Sequence, residues 1–595
     1  MSGRTELPEA TGFGSLLDIL DFAVEHYGDD ALMSLQTDER LELTWSAREL
    51  DRRSRLVAWR LRGLGLRPGD RLLTWAPPGP DLAAVYFGAM RAGVTLVPLD
   101  LRMTHEVVRR IADRAETQWL AIGSGRDAPQ VGEAGLAHFQ TRTVHSLTSE
   151  PSHESASGAD EGDVDADFPR DWETRLAAWA HPVRDDLFEI VFTSGTTGHP
   201  KGVMLTHGNV LATMEAANRI IPAWQHRIVS LLPLSHLFGQ LELVYAVMLG
   251  APILYLRSRN PRIIFLAIRK HRVTTMVVVP QLLDLFWRGI TREVDKQGRT
   301  KTFDRLRSIA RLLPYWLRRL IFRRVHAQLG GQLRLFICSA AFLPPPLQQA
   351  WEDMGVIVLQ GYGTTESGFA TANSIKSHPP GVVGRPVPPN EVLLASPENE
   401  ILLRGPAVFQ GYWHDAEATA AALDGDRSYH TGDVGHFDRH GNLVLSGRIK
   451  DMIVLPNGLN VFPEDIEKAL QVAGLREPVV LEAAVGRIEA VILHPDAAYP
   501  GQPTSDAGDG AAVGAGEPTL SPEQRAVVEA AVKAANRQLG IHQRVEGWSL
   551  WPEADYPRTH TLKVRRDLVR KRFGGLAAGV EPAGGEPAGA AAGER

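Results

Sequence analysis

Cys338 is the only cysteine in a chain of 595 residues, so no disulfide closes within it and no metal site is built from several thiolates. No window reaches eighteen uninterrupted apolar residues, and no membrane span is expected. The first residues, Met1 to Thr11, are polar and acidic, without a cationic stretch leading into an apolar core; a soluble chain in the cytoplasm is expected. Positive charge is not in excess either. Lys and Arg number 64 against 70 Asp and Glu, a formal charge of −6, and no global basic field points to a nucleic acid. Internal repeats are absent. What remains is an ordinary globular composition, 44% hydrophobic and 23% charged, in a chain too long for one core; two or more domains are expected.

Hydrophobic periodicity alternates along the N-terminal part. Ala47 to Leu61 reads as an amphipathic helix, Asp70 to Trp75 as a strand, Leu82 to Ala92 as a helix and Val94 to Pro98 as a strand. Ser46 with Glu49 three residues on is a capping-box signature for the first helix. Such alternation implies an α/β fold with a largely parallel sheet covered by helices. Two stretches interrupt it: about 150–167, rich in Ser, Gly, Ala, Asp and Glu, and about 500–518, rich in Gly and Ala. Both read as solvated insertions, and the Ala/Gly/Pro-rich tail 574–595 as disordered. Ser521 to Leu539 has a helical pattern. Lys301 to Arg324 departs from the overall acidity, with seven arginines among Leu, Ile, Tyr315 and Trp316 and only Asp304 opposing them. A cationic helix with interfacial aromatics suits an anionic membrane surface, which puts peripheral contact at the inner membrane face among the expectations. Arginines that are simply solvated, or that lie over the core, fit the same composition.

The densest chemistry lies in Phe192-Thr-Ser-Gly-Thr-Thr-Gly-His-Pro-Lys-Gly202, which follows the apolar run Leu187 to Phe192. Its glycines allow positive φ, so that backbone N–H groups can converge, while Ser194, Thr196 and Thr197 add hydroxyls and Lys201 a charge: a grip for polyphosphate. The spacing is not Walker A, because Lys201 is not followed by Ser or Thr. Read alone, the loop indicates phosphate, or a surface Gly/Thr turn. Further on, Tyr362 sits between two glycines that would let a flat ligand approach its ring. Thr364, Thr365 and Glu366 bring two hydroxyls and a carboxylate together. Beside a triphosphate that carboxylate needs a cation, although a bare Thr-Thr-Glu also makes a helix N-cap. Asp433 follows a tight turn, where it can accept from a ribose diol or make an Asx turn.

In order along the chain stand Leu232-Pro-Leu-Ser-His-Leu-Phe-Gly239, Gly361-Tyr-Gly-Thr-Thr-Glu-Ser-Gly368, Gly381-Val-Val-Gly-Arg-Pro386, Gly405-Pro-Ala-Val-Phe-Gln-Gly-Tyr-Trp413, Tyr429-His-Thr-Gly-Asp433, Gly447-Arg-Ile-Lys-Asp-Met-Ile453 and Pro557-Arg-Thr-His-Thr-Leu-Lys-Val-Arg-Arg566. Together with the glycine loop, this series resembles the adenylate-forming superfamily of acyl-CoA synthetases, luciferase-like enzymes and adenylation domains over about residues 15 to 570. The Arg-rich segment with Leu329-Gly-Gly-Gln-Leu-Arg-Leu-Phe336 resembles bacterial long-chain fatty acid–CoA ligases in particular.

The resemblance implies a large N-terminal AMP-binding domain, 1–447, of parallel-sheet αβ layers with a β-barrel-like subdomain, and a small mobile α+β domain, 448–573. It implies that Thr193, Ser194, Gly195, Thr196, Thr197, Gly198 and Lys201 hold the phosphates of ATP, that Tyr362, Gly363 and Thr364 line the adenine, and that Asp433 and Arg448 take the ribose or a phosphate. Glu366 and Thr197 would hold Mg²⁺. Thr365 and Lys563 would act at the α-phosphate, and His236 would line the acyl and thiol pockets. Lys450 matches the hinge, and Gly458 the face that admits the pantetheine of coenzyme A. Leu562 stands where many members have glycine. The implied reaction joins a carboxylic acid to ATP, releases pyrophosphate and passes the acyl group to coenzyme A, or to an acyl carrier protein.

A medium- or long-chain fatty acid is the expected substrate, because members that take short acids carry tryptophan at the position of Gly363. Against this, Ile337-Cys-Ser-Ala-Ala-Phe342 replaces a Gly-Gly-Ala sequence common in the family and narrows the expected pocket, which keeps an aryl or branched acid as the alternative.

Overall fold

The computed structural model describes residues 10–125, 128–129, 132–151, 168–193, 200–258, 260–457, 459–495, 520–558 and 564–573. The expected insertions near 150–167 and 500–518 and the tail 574–595 lie almost wholly outside these. The chain divides into two compact units, Met1–Leu445 and Ser446–Arg595.

The large unit is built from two sheets with helices against them. One has six strands, in the order Gln140–Thr143, Trp119–Ile122, Arg71–Trp75, Thr95–Pro98, Leu187–Thr193, Lys201–Thr206. Its pairs are parallel except the last, an antiparallel hairpin that brings Thr193 opposite Lys201. The other has nine strands and a parallel centre that includes Ile253–Leu256, Ile228–Ser230, Thr275–Val278, Leu335–Cys338 and Ile357–Tyr362. The central strands are buried on both faces, which explains their continuous Val/Ile/Leu runs. A further four-stranded sheet comprises Glu391–Ala395, Glu400–Arg404, Tyr429–Phe437 and Leu443–Arg448. This sheet is what the structure shows for the subdomain expected to be barrel-like.

Local signals account for the element ends. The helix Ala47–Gly63 starts where Ser46 Oγ accepts from the Glu49 N–H at 3.2 Å. The carboxylate of Glu49 does not complete the box; it turns to Arg53 Nε at 2.6 Å. Gly93, at φ 68°, closes the helix Pro80–Ala92 with the left-handed cap that glycine adopts without strain. In the small unit a three-stranded sheet, Val479–Ala484, Arg487–Ile492 and Gly547–Leu550, packs with the helices Pro463–Val472 and Pro522–Asn536. Ser521 and Gln524 form a complete capping box.

One buried group runs against the apolar logic of the parallel sheet. Glu189, in the middle of Leu187–Thr193, is fully buried, and neither carboxyl oxygen has a hydrogen-bond partner among the described residues. Burial pushes its carboxyl up to about 8, with Gln240 pulling weakly the other way. The fold therefore holds Glu189 protonated. The stability this gives is complete below the ordinary value of 4.5 and is lost as pH rises toward about 8, because only the unfolded chain ionises easily in that window. Glu189→Gln is expected to raise the melting midpoint at about pH 8 by roughly 2 °C or more and to change it little near pH 5. Melts across that range decide it; an equal shift at both ends would remove the titration from the explanation.

Candidate active site

The glycine-rich segment is the loop of the hairpin formed by Leu187–Thr193 and Lys201–Thr206. Ser194, Gly195, Thr196, Thr197 and Gly198 lie outside the described residues. Thr193 and Lys201 mark its two stems, and Thr193 Oγ1 lies 3.5 Å from the Lys201 carbonyl oxygen. Gly411-Tyr-Trp413 packs along the outer strand: Trp413 N–H donates to Gly202 O at 2.7 Å and Gln410 N–H to Met204 O at 3.1 Å. This register places the Tyr412 ring under the Lys201 ammonium, 4.9 Å from the ring centroid, a cation–π contact.

Tyr412 also donates its hydroxyl to Glu366 Oε1 at 3.2 Å, and Phe409 N–H donates to the Glu366 carbonyl at 2.7 Å. Burial, and after it the Glu366 carboxylate, push the Tyr412 phenol up, so it stays a neutral donor. Lys201 and Glu366, 165 residues apart in sequence, are thus connected by one tyrosine. Tyr412 lies inside a motif that signalled the family, yet its own role was not read from the sequence. The only available signal was a tyrosine directly after a glycine.

Glu366 belongs to the turn that leaves the strand Ile357–Tyr362. Thr364 braces this turn, its N–H and Oγ1 lying 3.2 and 3.1 Å from Ser367 Oγ, and Thr365 is half-buried. Glu366 Oε2 has no hydrogen-bond partner among the described residues. One oxygen held by phenol and one open, next to two threonine hydroxyls, form an all-oxygen donor set that fits Mg²⁺.

Tyr362 is nearly buried, and its hydroxyl donates to Asp433 Oδ2 at 2.7 Å. Asp433 sits in Tyr429–Phe437 directly after Gly432, whose φ of 68° turns the strand, and its own N–H donates to Thr431 Oγ1 at 3.0 Å. The glycines around Tyr362 have a different use from the one expected. A Cβ at Gly361 would lie 2.2 Å from the Phe369 ring, and one at Gly363 only 1.8 Å from the Gly368 carbonyl oxygen. Both are needed by the returning chain. The return of the chain is thus reason enough for glycine at 361 and 363.

His236 caps the helix Leu237–Leu249 by position, and its Nε2 lies 3.2 Å from Asp100 Oδ2. Asp100 is buried and held by Arg102, whose Nε and Nη2 both donate to it at 2.8 Å. Burial works against that charge, but Arg102 and His236 hold the carboxyl well below the usual range. Asp100, another residue that sequence reasoning missed, thereby orients the imidazole.

Ala340, in the stretch that replaces Gly-Gly-Ala, has φ 74°. The chain keeps a left-handed backbone there without glycine, at a cost of about 1–2 kcal/mol. Ala340→Gly is expected to stabilise the protein by about 1 kcal/mol in denaturant titration, since the gain in backbone freedom of the unfolded chain offsets part of the relief. A loss of stability would mean that the alanine methyl contributes packing which outweighs the strain.

In the small unit, half-buried Arg448 ends a strand and exposed Lys450 lies in the turn Ile449–Asp451. A Cβ on Gly447 would meet Glu464 Oε2 at 2.7 Å. Gly458 and Lys563 lie outside the described residues.

Four known matches bear on the site. The family model described as AMP-binding enzyme matches residues 21–413. The long-chain-fatty-acid–CoA ligase FadD15 of Mycobacterium bovis is 28% identical over 545 residues, 87% of this chain and 89% of that protein. The chloroplastic long-chain-fatty-acid–[acyl-carrier-protein] ligase AEE15 of Arabidopsis thaliana is 25% identical over 557 residues, covering 80% and 76%. In fold, the chain is similar to O-succinylbenzoate coenzyme A synthetase from Bacillus subtilis in complex with ATP and magnesium ion. The TM-score is 0.66 and the identity 19%, over 93% of this chain and 99% of that one.

Proposed function

This chain belongs to the AMP-binding enzyme family, and from that premise we propose that it is an ATP-dependent, AMP-forming acyl-CoA synthetase acting on a medium- or long-chain fatty acid. The observation that carries this reading is the joining of Lys201, Tyr412 and Glu366 in one contact chain, with Tyr362 bonded to Asp433 in the same unit. The first group suits a triphosphate with its cation, the second a nucleoside.

The acid's carboxylate attacks the α-phosphate of ATP, giving acyl-AMP and pyrophosphate; a thiol then attacks the acyl carbonyl and AMP leaves. Lys201 and the hydroxyls of the hairpin loop hold the leaving phosphates. Asp433 receives the ribose, exchanging the Tyr362 bond for one to a hydroxyl. Mg²⁺, held by Glu366 and Thr197, would supply charge neutralisation at the phosphates. Thr365 and Lys563 act at the α-phosphate, where charge develops. His236, fixed by Asp100, lines the path of acid and thiol. Turning at Lys450 would present the Gly458 face to pantetheine for the second step.

Coenzyme A is the acceptor in this reading. An acyl carrier protein is the second, because a relative named as an acyl-carrier-protein ligase matches over most of both chains. The test is carboxylate-dependent ATP–pyrophosphate exchange across a panel of short, long and aryl acids, followed by product formation with coenzyme A or with a phosphopantetheinylated carrier. Exchange with long acids and acyl-CoA as product are expected. No exchange with any acid would overturn the enzyme reading, exchange confined to aryl acids would overturn the fatty acid, and transfer only to the carrier would move the acceptor.

A further inference from the structure

The Arg-rich segment consists of three short helices, Thr300–Ala310, Tyr315–Ile321 and Arg323–Gln328, and its two sides differ. Four of its arginines are tied to the body of the large unit, three of them at least half-buried and Arg311 exposed. Arg307 and Arg311 bond the buried carboxylate of Asp353. Arg318 donates to the carbonyls of Leu313, Glu352 and Arg311, and Arg319 to those of Leu333, Gly331 and Gly355. Phe303, Ala310 and Phe322 are buried in the core beneath. These contacts fix the segment to the large unit and take those arginines out of any free basic surface.

The outer side is apolar. Leu306, Ile309, Leu312, Trp316 and Leu320 are all exposed, Leu312 at 86% and Trp316 at 63%. They are five of the fourteen large hydrophobic side chains found exposed among the described residues, gathered within fifteen positions. Leu306 and Ile309 are three apart on one helix and Trp316 and Leu320 four apart on the next, so each pair shares a face. Along the same segment Lys301, Arg305, Arg323 and Arg324 are exposed and without an ion pair among the described residues, against one exposed acid, Asp304. A segment of large exposed apolar tips and unpaired cations, on a chain whose net charge is −6, is not an ordinary solvated surface.

We propose that this face is a docking surface for an anionic lipid bilayer. The chemistry matches in both layers of such a surface. Leucine, isoleucine and tryptophan side chains enter the boundary between headgroups and acyl chains, while Arg and Lys of the same segment meet the phosphates. No helix among the described residues is long and apolar enough to cross a membrane, so the contact is peripheral and reversible. The surface stands whichever acid the enzyme activates.

The test is co-sedimentation of the full-length protein with phosphatidylcholine vesicles, with and without phosphatidylglycerol. The protein is expected to bind the anionic vesicles at least ~5-fold more than the neutral ones, and less as salt is raised. The triple variant Leu312→Ser/Trp316→Ser/Leu320→Ser is expected to lose ~10-fold or more of that binding, since each residue withdrawn removes buried apolar area. Arg323→Glu/Arg324→Glu is expected to lose the preference for phosphatidylglycerol. Both variants should keep the wild-type melting curve and exchange activity with a water-soluble acid. Failure of the wild type to bind anionic vesicles, or equal binding by the triple variant, would overturn the proposal. So would a triple variant that converts a dimer to a monomer in sedimentation velocity, which would make the face a contact between copies.

Discussion

Replacing Lys563 with alanine is expected to slow acyl-adenylate formation by about 10²–10³-fold while leaving acyl transfer from supplied acyl-AMP to coenzyme A nearly unchanged. The role rests on the match of Pro557 to Arg566 with the family's motif, and the structure adds how the residues flanking 559–563 are held. Arg558, just before residues 559–563, bonds Asp555 and Glu477, its Nη2 lying 2.6 and 2.8 Å from their nearer oxygens. Arg566, just after, pairs with Glu467 and lies 3.7 Å from Glu464. Burial works against both guanidiniums, but the paired acids outweigh it and hold them charged. Between the clamps, Arg558 and Val564 form an antiparallel bridge, and Arg565 N–H donates to Pro557 O at 2.8 Å. The residues on either side of 559–563 are thus fixed to the small unit, and a group that acts by electrostatics needs such a base. Lys563→Arg should recover little, because a planar fork does not replace a compact ammonium between two oxyanions. The measurement is pyrophosphate exchange beside single-turnover thiolation; equal loss in both half-reactions would sink the assignment.

Much of the scaffold was legible because it is written locally. The helix at 47–63, the strands at 71–75 and 95–98 and the helix at 80–92 follow from period and caps, and the solvated edges of such elements differ from expectation by one or two residues. The hairpin loop was legible as composition, since glycines, hydroxyls and a lysine make up most of it. What stayed hidden were contacts between distant residues: Tyr412 with Glu366 across 46 positions, and His236 with Asp100 across 136. No spacing rule links such residues. Glu189 is a harder case, because a lone glutamate in an apolar strand reads as an edge residue until burial is seen. The glycines at 361 and 363 show the converse gap. Sequence supplies the absence of a side chain, but only the backbone of 368 and 369 shows what takes its place. In the Arg-rich segment composition was right about charge and silent about direction, and direction separates Arg318, which is structural, from Arg323, which faces solvent.

Glu366→Gln is expected to lower the rate of adenylate formation by about 10²-fold or more and to raise the Mg²⁺ concentration needed for half-maximal exchange. Glutamine keeps the shape, and its amide oxygen still accepts from the Tyr412 hydroxyl, so the turn at Thr364 to Ser367 and the bond from Phe409 N–H remain. Only the charge goes. Among the described residues Lys201 is the cation linked to that charge, through the Tyr412 ring, and Lys201 is itself committed to phosphate in the proposed complex. A carboxylate left beside a triphosphate would repel it, so its presence there is explained by a divalent ion between them. Tyr412→Phe then separates charge from placement. It keeps the ring under Lys201 and the carboxylate, removes one hydrogen bond, and is expected to cost only about 3–10-fold, with the Mg²⁺ requirement little changed. If the glutamine variant loses rate at an unaltered Mg²⁺ requirement, Glu366 acts on the turn and not on the cation, and the phosphates must find their metal on the hairpin loop alone.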